Sequence, residues 1–185
     1  MSSRVFLAFL LLCSHALHAQ KEVQPFAGAG YGIENRIGFH GAVAQGGISW
    51  HFSNHLSGTA GADYFYGWAV PGWDSRQNAG AYFRQFTPSI RLEYNTGATP
   101  GTGLILLGGI ALRKGETYHF ETGLYHNGSF TDHVYVTEKV RGSGLVLGAG
   151  YGFPMRNGML GRIEFNNQAF LMLNDQYTLM FKVFF

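Results

Sequence analysis

The nine residues that end the chain, 177–185, constrain it more than any other stretch. Tyr177, Leu179, Phe181, Val183 and Phe185 share one parity and are all apolar. Thr178, Met180, Lys182 and Phe184 fill the other, a mixed and partly charged set. Side chains of a strand alternate faces with period two, so the segment reads as a strand with one apolar and one semi-polar face. Its apolar face needs either a protein core or lipid.

The amino-terminal end carries an export signal. Arg4 supplies the positive region, Val5 to Leu12 the apolar one, and residues 14–19 the small residues for cleavage. Cleavage is expected after Ala19, with Ala16 as the competitor, leaving residues 20–185 as one domain. The apolar run is far short of the roughly 20 residues that a membrane helix needs. Cys13 is the only cysteine and lies inside this signal. Leu11 and Leu12 before it are too large for a lipoprotein site, so neither disulfide nor thiol chemistry is expected of the mature chain.

Composition sharpens the choice between core and lipid. The chain has 27 glycines and 16% aromatic residues but only 13% charged ones, and no later apolar run long enough to span as a helix. A net charge of +2 gives no basic patch, so nucleic acid is not an expected partner.

Period-two alternation recurs along the chain, and eight strands are expected. They fall at about 26–33, 40–52, 56–68, 82–94, 104–113, up to 153, 159–170 and 177–185. On the second strand Ala42, Ala44, Ile48, Trp50 and Phe52 share one face, and Gln45, Ser49 and His51 the other. The third turns Tyr64, Tyr66 and Trp68 out and Thr59, Asp63 and Phe65 in. The fourth turns Phe86, Ile90, Leu92 and Tyr94 out and Gln85, Ser89, Arg91 and Glu93 in. The fifth is nearly all apolar, which leaves its facing open. On the seventh, Ile163 and Phe165 face out and Arg162, Glu164, Asn166 and Gln168 in. Short turns are expected at Ser53, Thr96 and Pro154, and a long polar loop from Lys114 to about His133.

Even strand number, short turns on one side, longer loops on the other and two aromatic girdles mark a membrane-spanning barrel. Trp50, Phe52, Tyr94, Tyr151, Phe153 and Phe185 would form the inner girdle. Tyr64, Tyr66, Trp68, Tyr82 and Tyr177 would form the outer one. With its export signal and terminal aromatic residue, the chain resembles the small eight-stranded outer-membrane proteins of the OmpA/OmpX-like or OmpW-like kind. The resemblance implies an all-β, antiparallel, up-and-down transmembrane β-barrel, porin-like in architecture, in the outer membrane of a Gram-negative cell. It also implies that Tyr177, Leu179, Phe181, Val183 and Phe185 form an assembly signal read by the barrel-assembly machinery. The other implied partner is outer-membrane lipid. Such proteins are structural, adhesive, transporting or lipid-modifying, so the fold does not settle the function.

Several motifs compete for a chemical role. His51-Phe-Ser-Asn54 resembles the His-x-Ser-Asn stretch of outer-membrane lipid A deacylases. It lies at an expected periplasmic turn, far from the outer leaflet, and reads better as a strand end. Gly28-Ala-Gly-Tyr-Gly32 recurs as Gly148-Ala-Gly-Tyr-Gly152, without the crossover helix or spacing of a nucleotide site. It reads as relief of crowding in a narrow lumen. His119, His126 and His133 recur every seven residues, which suits neither a strand face nor a zinc motif. Asn127-Gly-Ser129 fits a glycosylation sequon only formally. No catalytic residue, cofactor or metal is expected.

The charged residues of inward parity are the candidate site: Asp63, Arg91, Glu93, Arg162, Glu164 and Lys182. An eight-stranded barrel is just wide enough to be filled by side chains, and buried charges must be paired. A hydrogen-bonded plug is expected, with Glu93 approaching Lys182 across the lumen and Arg162 and Glu164 beside it. The expected function is a non-enzymatic, structural or surface-binding barrel. A narrow channel or carrier for small solutes or apolar molecules is the alternative, and a lipid A-modifying enzyme a more distant one.

Overall fold

The computed structural model describes residues 21–35, 38–69, 80–126, 129–170 and 175–185; the expected signal, 1–19, lies outside them. Strands follow in chain order: β1 Lys21–Glu34, β2 Phe39–His51, β3 Leu56–Ala69, β4 Tyr82–Asn95, β5 Gly103–His126, β6 Ser129–Pro154, β7 Leu160–Phe170 and β8 Gln176–Phe184. Each pairs antiparallel with the next, and β8 returns to β1 from Phe26↔Phe184 to Glu34↔Gln176, closing the barrel. Closure follows from the apolar exterior. An open sheet in hydrocarbon would leave edge amides unpaired at several kcal/mol each, so a spanning sheet must close.

Facing follows parity throughout. Outward residues such as Ile90, Leu92, Ile110, Leu112 and Leu147 are exposed, while Arg91, Glu93 and Val146 on the opposite parity are buried. Ile110 is 63% exposed, which suits lipid and not water. On β5 the apolar outward residues run from 104 to 112, and on β6 from 145 to 153. That length matches the roughly 9–11 residues with which a tilted strand crosses a bilayer.

Links 52–55, 96–102 and 155–159 gather at the end where the chain enters β1 and leaves β8. They are tied by their own side chains. Ser53 Oγ accepts the amides of His55 (3.3 Å) and Leu56 (3.0 Å), and Thr96 Oγ1 accepts that of Leu104 (3.0 Å). Short turns mark the periplasmic side of such barrels, so this is the inner end.

Two expectations need correction. β1 begins at Lys21, five residues before the expected start at Phe26. The polar segment from Lys114 to His133 is no loop: β5 and β6 remain paired from Gly103↔Gly152 to His126↔Ser129, with shifts near Phe120 and Leu124. Polar residues stand on both parities of this extension, Lys114 and Glu116 on one and Thr117, His119 and Glu121 on the other, so it carries none of the polar–apolar alternation that marks a half-buried strand. From Lys114 to His126, at about 3.3 Å per residue, the hairpin runs some 40 Å along the strand beyond the apolar belt.

Candidate functional site

The six charged lumen residues form one connected network. Arg162 Nη1 donates to Glu93 Oε2 (2.7 Å) and reaches Glu164 Oε2 (3.4 Å). Arg91 donates to Glu164 Oε1 (3.1 Å) through one arm and to Asp63 Oδ2 (3.2 Å) through the other. Lys182 donates to Glu164 Oε1. Three cations meet three carboxylates, and every side chain in the network is at most 5% exposed. Charges so far from water are tolerable only when neutralised and hydrogen-bonded; every member of this set is ion-paired, while Arg162 Nε lacks a protein hydrogen bond.

One detail differs from expectation. The partner of Glu93 is Arg162, reached across the lumen from β4 to β7, with Thr59 donating a second hydrogen bond at 3.2 Å. Lys182 pairs instead with Glu164, its diagonal neighbour on β7. Backbone register fixes which strands meet, but the length of the side chains decides which carboxylate each cation reaches.

Glycines make room for the network. Across the ladders Lys182 stands opposite Gly28, Arg162 opposite Gly152, Glu164 opposite Gly150 and Arg91 opposite Gly109. A Cβ at Gly28 would lie 2.9 Å from Lys182 Cγ, and one at Gly150 would lie 2.6 Å from the Ile163 carbonyl oxygen. The repeated Gly-Ala-Gly-Tyr-Gly motif is therefore the small side of two ladders whose other side carries long charged residues.

Other layers complete the filling. Toward the inner end, the Arg162 guanidinium sits 4.5 Å from the Phe184 ring centre and Lys182 Nζ 5.5 Å from that of Phe26. Toward the outer end lie amides: Gln168 donates to Asp63 (2.7 Å), Asn166 to Glu164 (2.7 Å) and Gln85 to Thr87 (3.0 Å). Gln45 also donates to Asp63, and Gln85 to Gln176. Phe39, Val43, Phe65, Phe83 and Met180 form an apolar cluster with Ala81 inside the barrel, their Phe rings about 6 Å apart.

Sequence reasoning missed Arg113 and Gln176. Arg113 is 3% exposed, its guanidinium 3.9 Å from the Phe170 ring centre, and its Nε and Nη2 make no hydrogen bond. β5 is apolar on both parities, so only the adjacency of Arg113 and Lys114 signals that one of them must face inward. Gln176 reads from sequence as part of a link, yet it is the first residue of β8 and fully buried.

The other motifs separate. Ser53 caps its own turn, and His51 Nε2 lies 3.2 Å from Gln24 Oε1. His119, His126 and His133 are spread along the hairpin, opposite Val136, Ser129 and Gly123. Among the described residues no group of His, Cys, Asp or Glu is placed to hold a metal ion. Asn127 lies outside the described residues. Tyr177, Leu179, Phe181, Val183 and Phe185 all face outward, and the Phe185 amide donates to the Pro25 carbonyl at 3.0 Å.

An eight-stranded antiparallel ring, apolar outside and polar within, defines a small membrane-spanning barrel of the outer-membrane type. Solved structures share this fold. Neisserial surface protein A is similar at 11% identity over 88% of this chain and 95% of its own, with a TM-score of 0.53. Ail, the attachment invasion locus protein of Yersinia pestis, is similar at 10% identity over 89% and 98%, with a TM-score of 0.54. A second structure of Ail, in complex with the heparin analogue sucrose octasulfate, gives 10% identity, 88% and 94% coverage and a TM-score of 0.50. No family model and no curated protein matches the chain. Its fold is that of the small outer-membrane barrels, and its exterior is apolar as a bilayer requires.

Proposed function

We propose that this chain is a non-enzymatic outer-membrane barrel, structural or surface-binding, whose lumen is plugged and whose outer hairpin meets the exterior. The charged network carries the reading. Three carboxylates and three cations joined by direct ion pairs occupy the bore that a solute would need. Among the described residues the β5–β6 hairpin is the largest feature beyond the apolar belt and so the natural binding element. Ail, an attachment invasion locus protein, has the same fold, and that likeness supports a surface role. The closing strand serves the barrel-assembly machinery through its outward aromatic row.

Cells bearing the intact chain are compared with cells in which Gly115 is joined to Val140 by a short turn. Binding to a panel of immobilised glycans and proteins should depend on the hairpin, and lipid A masses should be the same with and without the gene. Hairpin-independent binding contradicts the surface-binding reading, and altered lipid A masses contradict the non-enzymatic one.

A narrow channel is the second reading, favoured by one observation. Ser49, Ser57 and Asn95, toward the inner end, have buried polar atoms without a protein hydrogen bond. Such atoms are commonly satisfied by water. Gln45, Gln85, Arg162, Asn166, Gln168 and Gln176, higher in the lumen, each also leave one buried polar atom without a protein hydrogen bond, so water at those levels too would favour the channel over the plug.

A further inference from the structure

Just beyond the apolar belt, the outer surface of β4–β6 changes character. Arg84, Glu116 and Lys139 form one row across the three strands; Phe86, Lys114 and Arg141 form the next row inward. Arg84, Lys114, Lys139 and Arg141 are exposed and of outward parity. The one carboxylate among them, Glu116, is bound to Arg84 at 2.7 Å and accepts the Tyr82 hydroxyl at 3.2 Å. Four cations thus share a cleft of about 550 Å³ with one anion, a local basic patch that corrects the expectation of none from the near-zero net charge. At the same height β2 and β3 carry Ala42, Tyr64 and Tyr66, so the charge is confined to one side of the barrel.

Depth gives this patch its meaning. Tyr66, Tyr82, Tyr118 and Tyr135 stack across four strands, with ring centres 5.2–6.2 Å apart. Tyrosine rings gather at the membrane–water interface, where lipid headgroups lie. Directly inward, on the same strands, an apolar groove of about 760 Å³ is lined by Pro88, Ile90, Ile110, Leu112 and Leu145. It lies over a gap in the β4–β5 ladder, whose rungs pass from Phe86↔Lys114 to Ser89↔Ala111. Pro88 sits in this gap and brings no N–H.

We infer that β4–β6 hold a phosphorylated lipid of the outer leaflet, its phosphates among Arg84, Lys114, Lys139 and Arg141 and an acyl chain in the groove over Pro88. Arg and Lys are strong phosphate ligands, and the headgroup depth places them where phosphates are found. A soluble polyanion would fill the cleft and leave the groove unused; a lipid uses both. The inference rests on the membrane-spanning reading of the barrel, so folding and insertion are checked separately by the heat-modifiable shift of the band in gels.

The barrel is assembled in phosphatidylcholine nanodiscs doped with bis-phosphorylated lipid A or with its dephosphorylated form. Lipid retained after transfer to mild detergent is then counted by native mass spectrometry. Retention of the phosphorylated form should exceed the other by about tenfold, and Lys114→Gln with Arg141→Gln should remove most of that difference. Arg156→Gln, in the inner turn, should change nothing. Leu112→Ala with Ile90→Ala should lower lipid retention while leaving any competition by inorganic phosphate unchanged. Equal retention of the two lipids overturns the site, as does full retention by the folded, inserted double-glutamine variant. Heparin binding to the cleft without selective lipid retention overturns it in favour of a soluble polyanion.

Discussion

Removing the Glu164 carboxylate would leave Arg91, Arg162 and Lys182 facing one another with two anions for three cations. Losing one partner of a buried pair typically costs about 3–5 kcal/mol, so Glu93→Ala should lower unfolding stability by that order and Glu164→Ala by at least as much. Arg84→Ala breaks a pair whose side chains are 52% and 25% exposed, and should cost less than about 1 kcal/mol. Urea unfolding in lipid vesicles measures all three; a loss under about 1 kcal/mol for Glu93→Ala would mean a water-filled lumen. Gly28→Ala tests the opposite side of the ladder. Its Cβ would press on Lys182 Cγ, and overpacking of this kind costs about 1–3 kcal/mol in the same assay. All six charges were legible in the sequence, because parity alone sends them inward. Their pairing was not: parity gives the face, and only the barrel's stagger and side-chain length give the partner.

At the scale of strands, the closing element carries the most specific expectation. Phe185, just past the end of β8, is 61% exposed, and its side chain faces outward rather than into the lumen. Deleting it should impair insertion and the heat-modifiable band far more than it alters the stability of any barrel that does form. Normal insertion would contradict an assembly role. Orientation is tested by thiols, since Cys13 is the only native cysteine and lies in the expected signal. Thr137→Cys on the hairpin should react with an impermeant reagent on intact cells, and Arg156→Cys in the inner turn only after the membrane is breached. The reverse pattern would invert the barrel. Six strands were readable, five of them to within a residue and β1 five residues short at its start. The long hairpin was not, because its polar residues fall on both parities and show no contrast between faces, and polarity there looks like a loop.

For the whole molecule, the architecture was legible because two solvents impose it: lipid selects apolar residues outside, and a narrow bore selects paired polar residues and glycines within. What the barrel does was far less legible, since among the described residues no motif brings catalytic groups together and the fold hosts many activities. Everything proposed for the lumen depends on side chains closing the bore. The side chains proposed to close it run from the Phe26–Phe184 contact (ring centres 5.2 Å apart) through the ion pairs to the Phe39–Phe83 stack (6.0 Å). Planar-bilayer conductance of the unmodified, purified barrel reads this closure directly. The membrane should stay electrically silent after verified insertion, with brief leaks appearing only in Glu93→Ala or Glu164→Ala. A steady open conductance from the unmodified protein would contradict the plug and make the barrel a channel.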